Sequence, residues 1–533
     1  GNNNVAVGAF ALDANTTASG NTAVGRLALT ENTTGANNVA VGFEALENNT
    51  TATGNTAVGY NALTANTTGY SNTALGTNAG KSITTGSSGV FVGSDAGRDS
   101  TGSDSTFVGA GAGYNATGGQ NTCIGNSSGN ALTSGSGNTF TGYASGNSTT
   151  TGGKNVAFGY QALEKNTTAS YNTAVGYQAL EETTDGHSNT SVGYEALTSN
   201  TTGDENVAFG NQALKSSTTA GNNSAFGADA LRNATTGGNN VALGKRAGRG
   251  TTTGTNNTYV GTQAGENTTT SSWNTAIGYQ AGTANTTGQR NVFLGYAGVS
   301  NTTGNEVTAV GYGAGYSTTV EAGSTYVGSY SGQNLTGTNN VSVGNYSLYG
   351  TSGSSGIHNT AVGHMAGYAM VGGDRNTLIG SNAGDSITSG DNNTCIGNHA
   401  DTSSATVDNE ITLGNVNVGS LRCNTQTISS LSDGRDKTEV EDLPLGLDFI
   451  DTLRPVKFKW DTRDGNGKDG SYDAGFIAQD LQSAQSASNA EYLKMVMDSN
   501  PDRLEARYGQ LIPVLVQAIK DLKAEIDTLK ANA

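Results

Sequence analysis

The sequence predicts a mostly β chain: a repetitive parallel β-solenoid packed in a closed oligomer, then a small α+β domain that ends in a coiled-coil helix. Three observations predict it. Aligned on N-[TV]-A-[VILF]-G, the chain shows 25 copies of a repeat with its glycine running from Gly8 to Gly414, and 19 of the 24 intervals are 17 residues. The 533 residues include 79 Gly and only 13% charged residues, a composition of neither an ordinary enzyme nor a collagen. All four prolines (Pro444, Pro455, Pro501, Pro513) lie after residue 431, where charge also becomes dense. These signals divide the chain into repeats over 1–414, an extended connector over 415–431 and a C-terminal domain over 432–533.

Each repeat holds two short apolar pieces between Asn-Thr-Thr-Gly turns, too short for helices. The residue before the glycine is large and apolar in every copy except Thr141, and the one before that is usually Ala. A strand apolar on successive residues is buried on both faces. One face fills the coil of its own chain and the other needs a second surface, which predicts several chains about a common axis. The recurring Gly reads as a position of positive φ or close backbone approach, and the Ala or Ser three residues later as a tight inner corner. Stacked at strand spacing, 25 copies make a rod of about 120 Å. Copies between Tyr296 and Gly373, where the interval becomes 16 or 19, are candidate bulges for contacts. The NTT element at Asn15, Asn32, Asn49, Asn66, Asn166, Asn200, Asn267, Asn285 and Asn301 is formally a glycan sequon or a Thr ladder that orders water. Turn chemistry of Asn and Thr explains its spacing more simply.

Several function classes are disfavoured. A net charge of −17 without a Lys/Arg run speaks against nucleic acid. Cys123 and Cys395 replace Ala in "NTCIG" and read as small core thiols; with Cys423 they form no metal-ligand spacing, nor do His187, His358, His364 and His399. No metal and no cofactor is expected. No apolar run is long enough for a membrane span. The start, "GNNNVAVG", falls mid-pattern, so a preceding attachment region is expected. A polysaccharide-degrading spike needs paired carboxylates, whereas Asp95, Glu164, Glu195 and Asp229 occur sporadically.

Beyond the repeats, "NVNVGSLRCNTQTI" alternates as an extended strand. The segment 508–530 predicts a helix with Ile512, Ile519 and Ile526 at one seam position and Tyr508, Leu515, Leu522 and Leu529 at the other. Isolated zippers of this type favour two strands. "SDGRDK" at 432–437 is by itself an ordinary polar turn.

The repeats resemble the head repeats of trimeric autotransporter adhesins, a left-handed β-roll, and repeat shafts of phage tail fibres. The tail motifs S-D-x-R-x-K, GFIAQ and LIPVLVQAIKDLKAEI resemble the S74-type intramolecular chaperone domain of phage tail spikes and fibres. That resemblance implies a homotrimeric fibre whose C-terminal domain drives trimer folding and then releases itself by cutting Leu431-Ser432, with Ser432 and Lys437 as the catalytic pair. A Ser hydroxyl needs a base, and a Lys serves as one only when burial lowers its pKa; burial is expected on assembly. Gly434 would allow the turn that brings Lys437 back to Ser432. Arg435 would either stabilise the oxyanion or brace the loop against Asp433 or Asp436, and the charged character of the loop favours bracing.

The partners then expected are the chain itself, a host cell-surface receptor of glycan or protein, and a virion tail through the preceding region. Activity would be limited to a single self-cleavage. Localisation would be an extracellular virion tail assembled in a bacterial cytoplasm. The alternative is a bacterial surface adhesin or ice-binding solenoid with the same tail.

Overall fold

The computed structural model describes residues 1–320, 322–418, 420–422, 432–461, 470–498 and 504–533. The chain forms two compact units, Gly1–Thr336 and Gly337–Ala533. In the first, three-residue strands from β1 (Val5–Val7) to β20 (Thr325–Val327) stack in parallel, one per coil. Pairing is in register: Thr173, Ala174 and Val175 face Thr190, Ser191 and Val192. The second unit begins with five such strands, β21 (Val341–Val343) to β25 (Ile411–Leu413). Coils of unusual length keep this register, since Val90 pairs with Thr106 and Val341 with Thr360. The longest coil pushes its extra residues out as an exposed turn at 351–353, where a side chain on Gly353 would meet nothing within 4 Å. The bulge expected between Tyr296 and Gly373 is localised there.

The predicted solenoid follows from two residue classes. The repeated glycine adopts a positive φ, +147° at Gly159, and a Cβ there would lie 2.2 Å from the Gly176 carbonyl oxygen one coil on. No other residue fits that approach. The strand centre and the residue six positions later fill the coil's interior together. Ala57 is matched with Leu63, both fully buried. Where the strand centre is bulky, that later position becomes Gly in its own coil and in the one before; in the shortened coil of Phe293 the glycine is Gly298, five positions on. Phe91 sits between Gly80 and Gly97, where added Cβ atoms would come within 2.9 and 2.5 Å of its ring; Tyr259 sits likewise between Gly248 and Gly265. Volume is conserved rather than sequence, as close packing demands.

Buried Asn side chains hold successive coils together. Asn38 donates its backbone N–H to Asn21 Oδ1 (2.9 Å) and its side-chain Nδ2 to the Ala52 carbonyl (2.9 Å), and this pairing recurs down the stack. Unpaired, these buried amides would each cost about 1–3 kcal/mol. The NTT asparagines are also largely interior: Asn32, Asn49, Asn66, Asn166, Asn200, Asn285 and Asn301 are buried. Asn49 Nδ2 donates to Asn32 Oδ1 at 2.8 Å. The following threonine hydroxyl donates to the next coil, as from Thr33 to the Thr50 carbonyl at 3.0 Å. Turn and ladder chemistry accounts for NTT where these bonds form. Asn301 is buried without a side-chain partner among the described residues and Asn267 is exposed, and the seven buried amides are inaccessible to a glycan. The last coil replaces the ladder Asn by Glu410, which has no amide to pass on. Its carboxylate accepts instead from the Ser403 N–H (2.9 Å) and hydroxyl (2.7 Å), ending the ladder.

Cys123 and Cys395 are free and buried, and burial pushes both thiols up to about 12. Cys423 lies outside the described residues. Of the connector, Asn415 accepts the Val418 N–H (3.0 Å) in a turn rather than opening a strand, and residues 419 and 423–431 are outside the described set.

The C-terminal part is α+β. Helix α1 (Leu447–Thr452), the antiparallel pair β26 (Val456–Lys459) and β27 (Tyr472–Gly475), helix α2 (Ala478–Ala487), the pair β28 (Val496–Met497) and β29 (Glu505–Ala506), and helix α3 (Leu511–Ala531) follow in order. Its core gathers Phe449, Leu481, Ala490, Leu493, Met495, Val496, Leu511 and Val514. Asp521 ties α3 to α1 by accepting the Leu447 N–H at 3.1 Å and the Gln517 amide at 2.9 Å. Among the described residues no helix is long and apolar enough to cross a membrane.

Candidate functional site

The segment 432–437 forms a single 3-10 turn over Gly434–Asp436. Asp433 caps it: its Oδ1 accepts the Arg435 N–H at 2.9 Å, and the Lys437 N–H closes the turn on the Gly434 carbonyl at 3.3 Å. Asp is a favoured capping residue because its carboxylate satisfies an otherwise unpaired N–H. The Arg435 guanidinium grips the same carboxylate, with Nε 3.1 Å from both oxygens. That side-chain bond, with the backbone one, holds the Asp433 carboxyl below the usual aspartate range. Arg435 thus braces the loop against Asp433 and not against Asp436.

The turn brings two side chains together that the sequence separates by five positions: Lys437 Nζ donates to Ser432 Oγ at 2.6 Å. This is hydrogen-bond contact between a hydroxyl and an amine, the first geometric requirement for an activated nucleophile. Gly434 is not what makes the turn. It has no positive φ, and a Cβ there would meet nothing within 4 Å. The Asp433 cap makes the glycine's freedom unnecessary. Ser432 and Lys437 are both exposed in the single chain. Leu431, which would supply the scissile carbonyl, lies outside the described residues.

The apolar helical stripe lies at the C-terminal end of the chain, on α3. Helix α3 buries Leu511, Val514 and Ala518 on its own domain. Ile512, Leu515, Ile519, Leu522, Ile526 and Leu529 are between 43% and 68% exposed, with Leu515 at the edge of a groove lined by Ile450, Leu453, Phe476 and Tyr508. Tyr508 precedes the helix in a 3-10 turn, where its hydroxyl accepts the Phe476 N–H at 3.2 Å. It belongs to the domain's fold rather than to the helical stripe. Sequence reading placed the helix and its apolar stripe but not this division of labour, which depends on tertiary contacts.

Residues 432–489 match the family Peptidase_S74, described as chaperone of endosialidase, so the C-terminal region carries such a domain beginning at Ser432. Neither a curated protein nor a solved structure matches the chain.

Proposed function

We propose that the protein is a homotrimeric fibre of a phage tail, adhesive towards a host cell surface, whose C-terminal domain sets the trimer's register and then cuts itself away before Ser432. The observation that carries this reading is the Lys437–Ser432 contact at the first residue of the matched domain. The solenoid supports a structural role, because a stack of near-identical coils offers length and surface rather than a pocket. The exposed seam on α3 supports association of copies through that helix.

The chemistry follows from the position of the hydroxyl. Ser432 contributes the nitrogen of the bond to be cut, so attack of its Oγ on the preceding carbonyl closes a five-membered ring. Lys437, as a neutral amine, takes the hydroxyl proton. Collapse of the ring breaks the C–N bond and returns a proton to the departing α-amine, leaving an ester to Ser432 Oγ. Water hydrolyses the ester, giving a new carboxyl terminus on the fibre and restoring the serine. Both side chains are exposed in the single chain. Packing of copies around the turn would desolvate the amine and lower its pKa. Cleavage would then wait for assembly.

The test is a denaturing gel with mass measurement of the expressed chain. Wild type is expected to yield a fragment of residues 432–533, and Ser432→Ala to remain intact. An uncut wild-type chain would remove the self-cleavage reading.

A further inference from the structure

The residue after each repeated glycine forms a column along the solenoid, and in the first unit that column is written in blocks. Phe43 and Tyr60 form one block. Tyr143, Tyr160, Tyr177 and Tyr194 form the second, and Tyr279, Tyr296 and Tyr312 the third. Between them the position holds small, polar or charged residues such as Thr77, Ser94, Asn211 and Lys245. Within the second block the rings stack coil on coil, with centroids 5.2–5.3 Å apart and planes within 12°. Stacking covers one ring with the next but leaves their outer edges bare. Tyr143, Tyr160, Tyr177 and Tyr194 remain 42–51% exposed, and Phe158 beside them 60%.

Five aromatic side chains at about half exposure amount to an apolar patch on the order of 500 Å², the size of the largest patch on a soluble monomer, which is often functional. The patch adjoins the outer face of a parallel sheet, where Val156, Val241 and Leu243 are also exposed. Parallel sheets are covered on both faces. The cover must repeat once per coil over many coils, and another copy of this chain has that spacing.

We infer that the aromatic column is an interface between copies of the chain, packed in the same direction, with each block facing its counterpart in the neighbours. This rests on the oligomeric reading above and adds a register mark to it. The blocks span two, four and three coils, with four coils between each block and the next, so a slip of one coil keeps six of the nine aromatic matches and a slip of two keeps three. The column grades the registers but leaves the one-coil slip close to the correct one. A separate device is still needed to choose between them during folding.

Tyrosine nitration of the assembled full chain, with its mass measured by sedimentation, tests the inference. Tyr70 and Tyr171 lie off the column and are 56% and 58% exposed, against 51% for Tyr60 and Tyr143, so they serve as internal standards. Tyr60, Tyr143 and Tyr160 are expected to react at least tenfold more slowly than Tyr70 and Tyr171, and equally fast once unfolded in urea. An oligomer in which all five react alike overturns the inference alone and leaves the column open to a different partner. A monomer overturns both the inference and the oligomeric reading. Photo-oxidative dityrosine linkage in oligomers mixed from light and heavy-isotope chains then reads the register. Links between Tyr143 of different chains support it, and links offset by one coil contradict it.

Discussion

The solenoid and the C-terminal domain use opposite strategies to specify structure. In the solenoid every coil meets a near-copy of itself, and the same bonds recur, as in the steps from Asn21 to Asn38 and from Asn38 to Asn55. Such contacts fix how coils stack within a chain and say little about which coil of one chain faces which coil of another. Among the described residues of the C-terminal domain no contact repeats: Asp521 holds Leu447, Gln485 Oε1 accepts the Met495 N–H, and Phe476 rests on Tyr508. Repetition supplies length, and aperiodicity supplies position. A long oligomeric fibre needs both, which gives a physical reason for joining the two on one chain.

The comparison can be broken at several points, and the largest effect is expected at the turn. Lys437→Arg should abolish release of the 432–533 fragment as completely as Ser432→Ala, because a guanidinium stays protonated; the gel shows it directly. Next comes the solenoid interior. Gly97→Leu would place a Cβ 2.5 Å from the Phe91 ring and 2.8 Å from Phe107, at a φ of +57°. A loss of about 3 kcal/mol is expected in denaturant unfolding, whereas Gly434→Ala, with open space around it, should leave unfolding unchanged.

Asn189→Leu removes the acceptor of the Asn206 N–H (2.9 Å) and the donor to the Gly203 carbonyl (2.8 Å). About 2–3 kcal/mol should be lost by thermal or chemical melting. The smallest effect concerns pH. Because the Asp433 carboxyl is held below its usual range, its contribution to the turn is present above that range and is lost as pH falls through the lowered value. NMR titration of the Asp433 carboxyl should show the depression in wild type and its relief in Arg435→Ala.

Much of this was legible in the sequence, for reasons that differ between the regions. The 17-residue period exposed the coil, and the uniform Gly announced a close backbone approach, since Gly159 has no alternative that fits. The pairing of Phe91 with Gly80 and Gly97 was hidden, because volume exchange across coils appears only once neighbours in space are known. The inward turn of Asn32 and Asn49 was equally hidden, because the same residues suit an exposed turn. At the site, Ser432 and Lys437 came from the resemblance of the tail motifs to the S74-type domain, since SDGRDK alone is an ordinary polar turn. The source of the turn was not legible: the Asp433 cap took the part assigned to Gly434, since side-chain capping supplies the geometry that glycine's freedom would otherwise provide. The aromatic column went unread because each Tyr is ordinary alone and its block structure emerges only along the stacked coils.

The central claim is that the C-terminal domain supplies an assembly register that the solenoid does not fix by itself. Its most direct test is to express residues 1–431 alone and compare their mass and length distribution, by sedimentation and electron microscopy, with those of the fibre released from the full chain. A mixture of monomers, staggered assemblies and aggregates is predicted. Uniform trimers of the same length as the released fibre would contradict the claim.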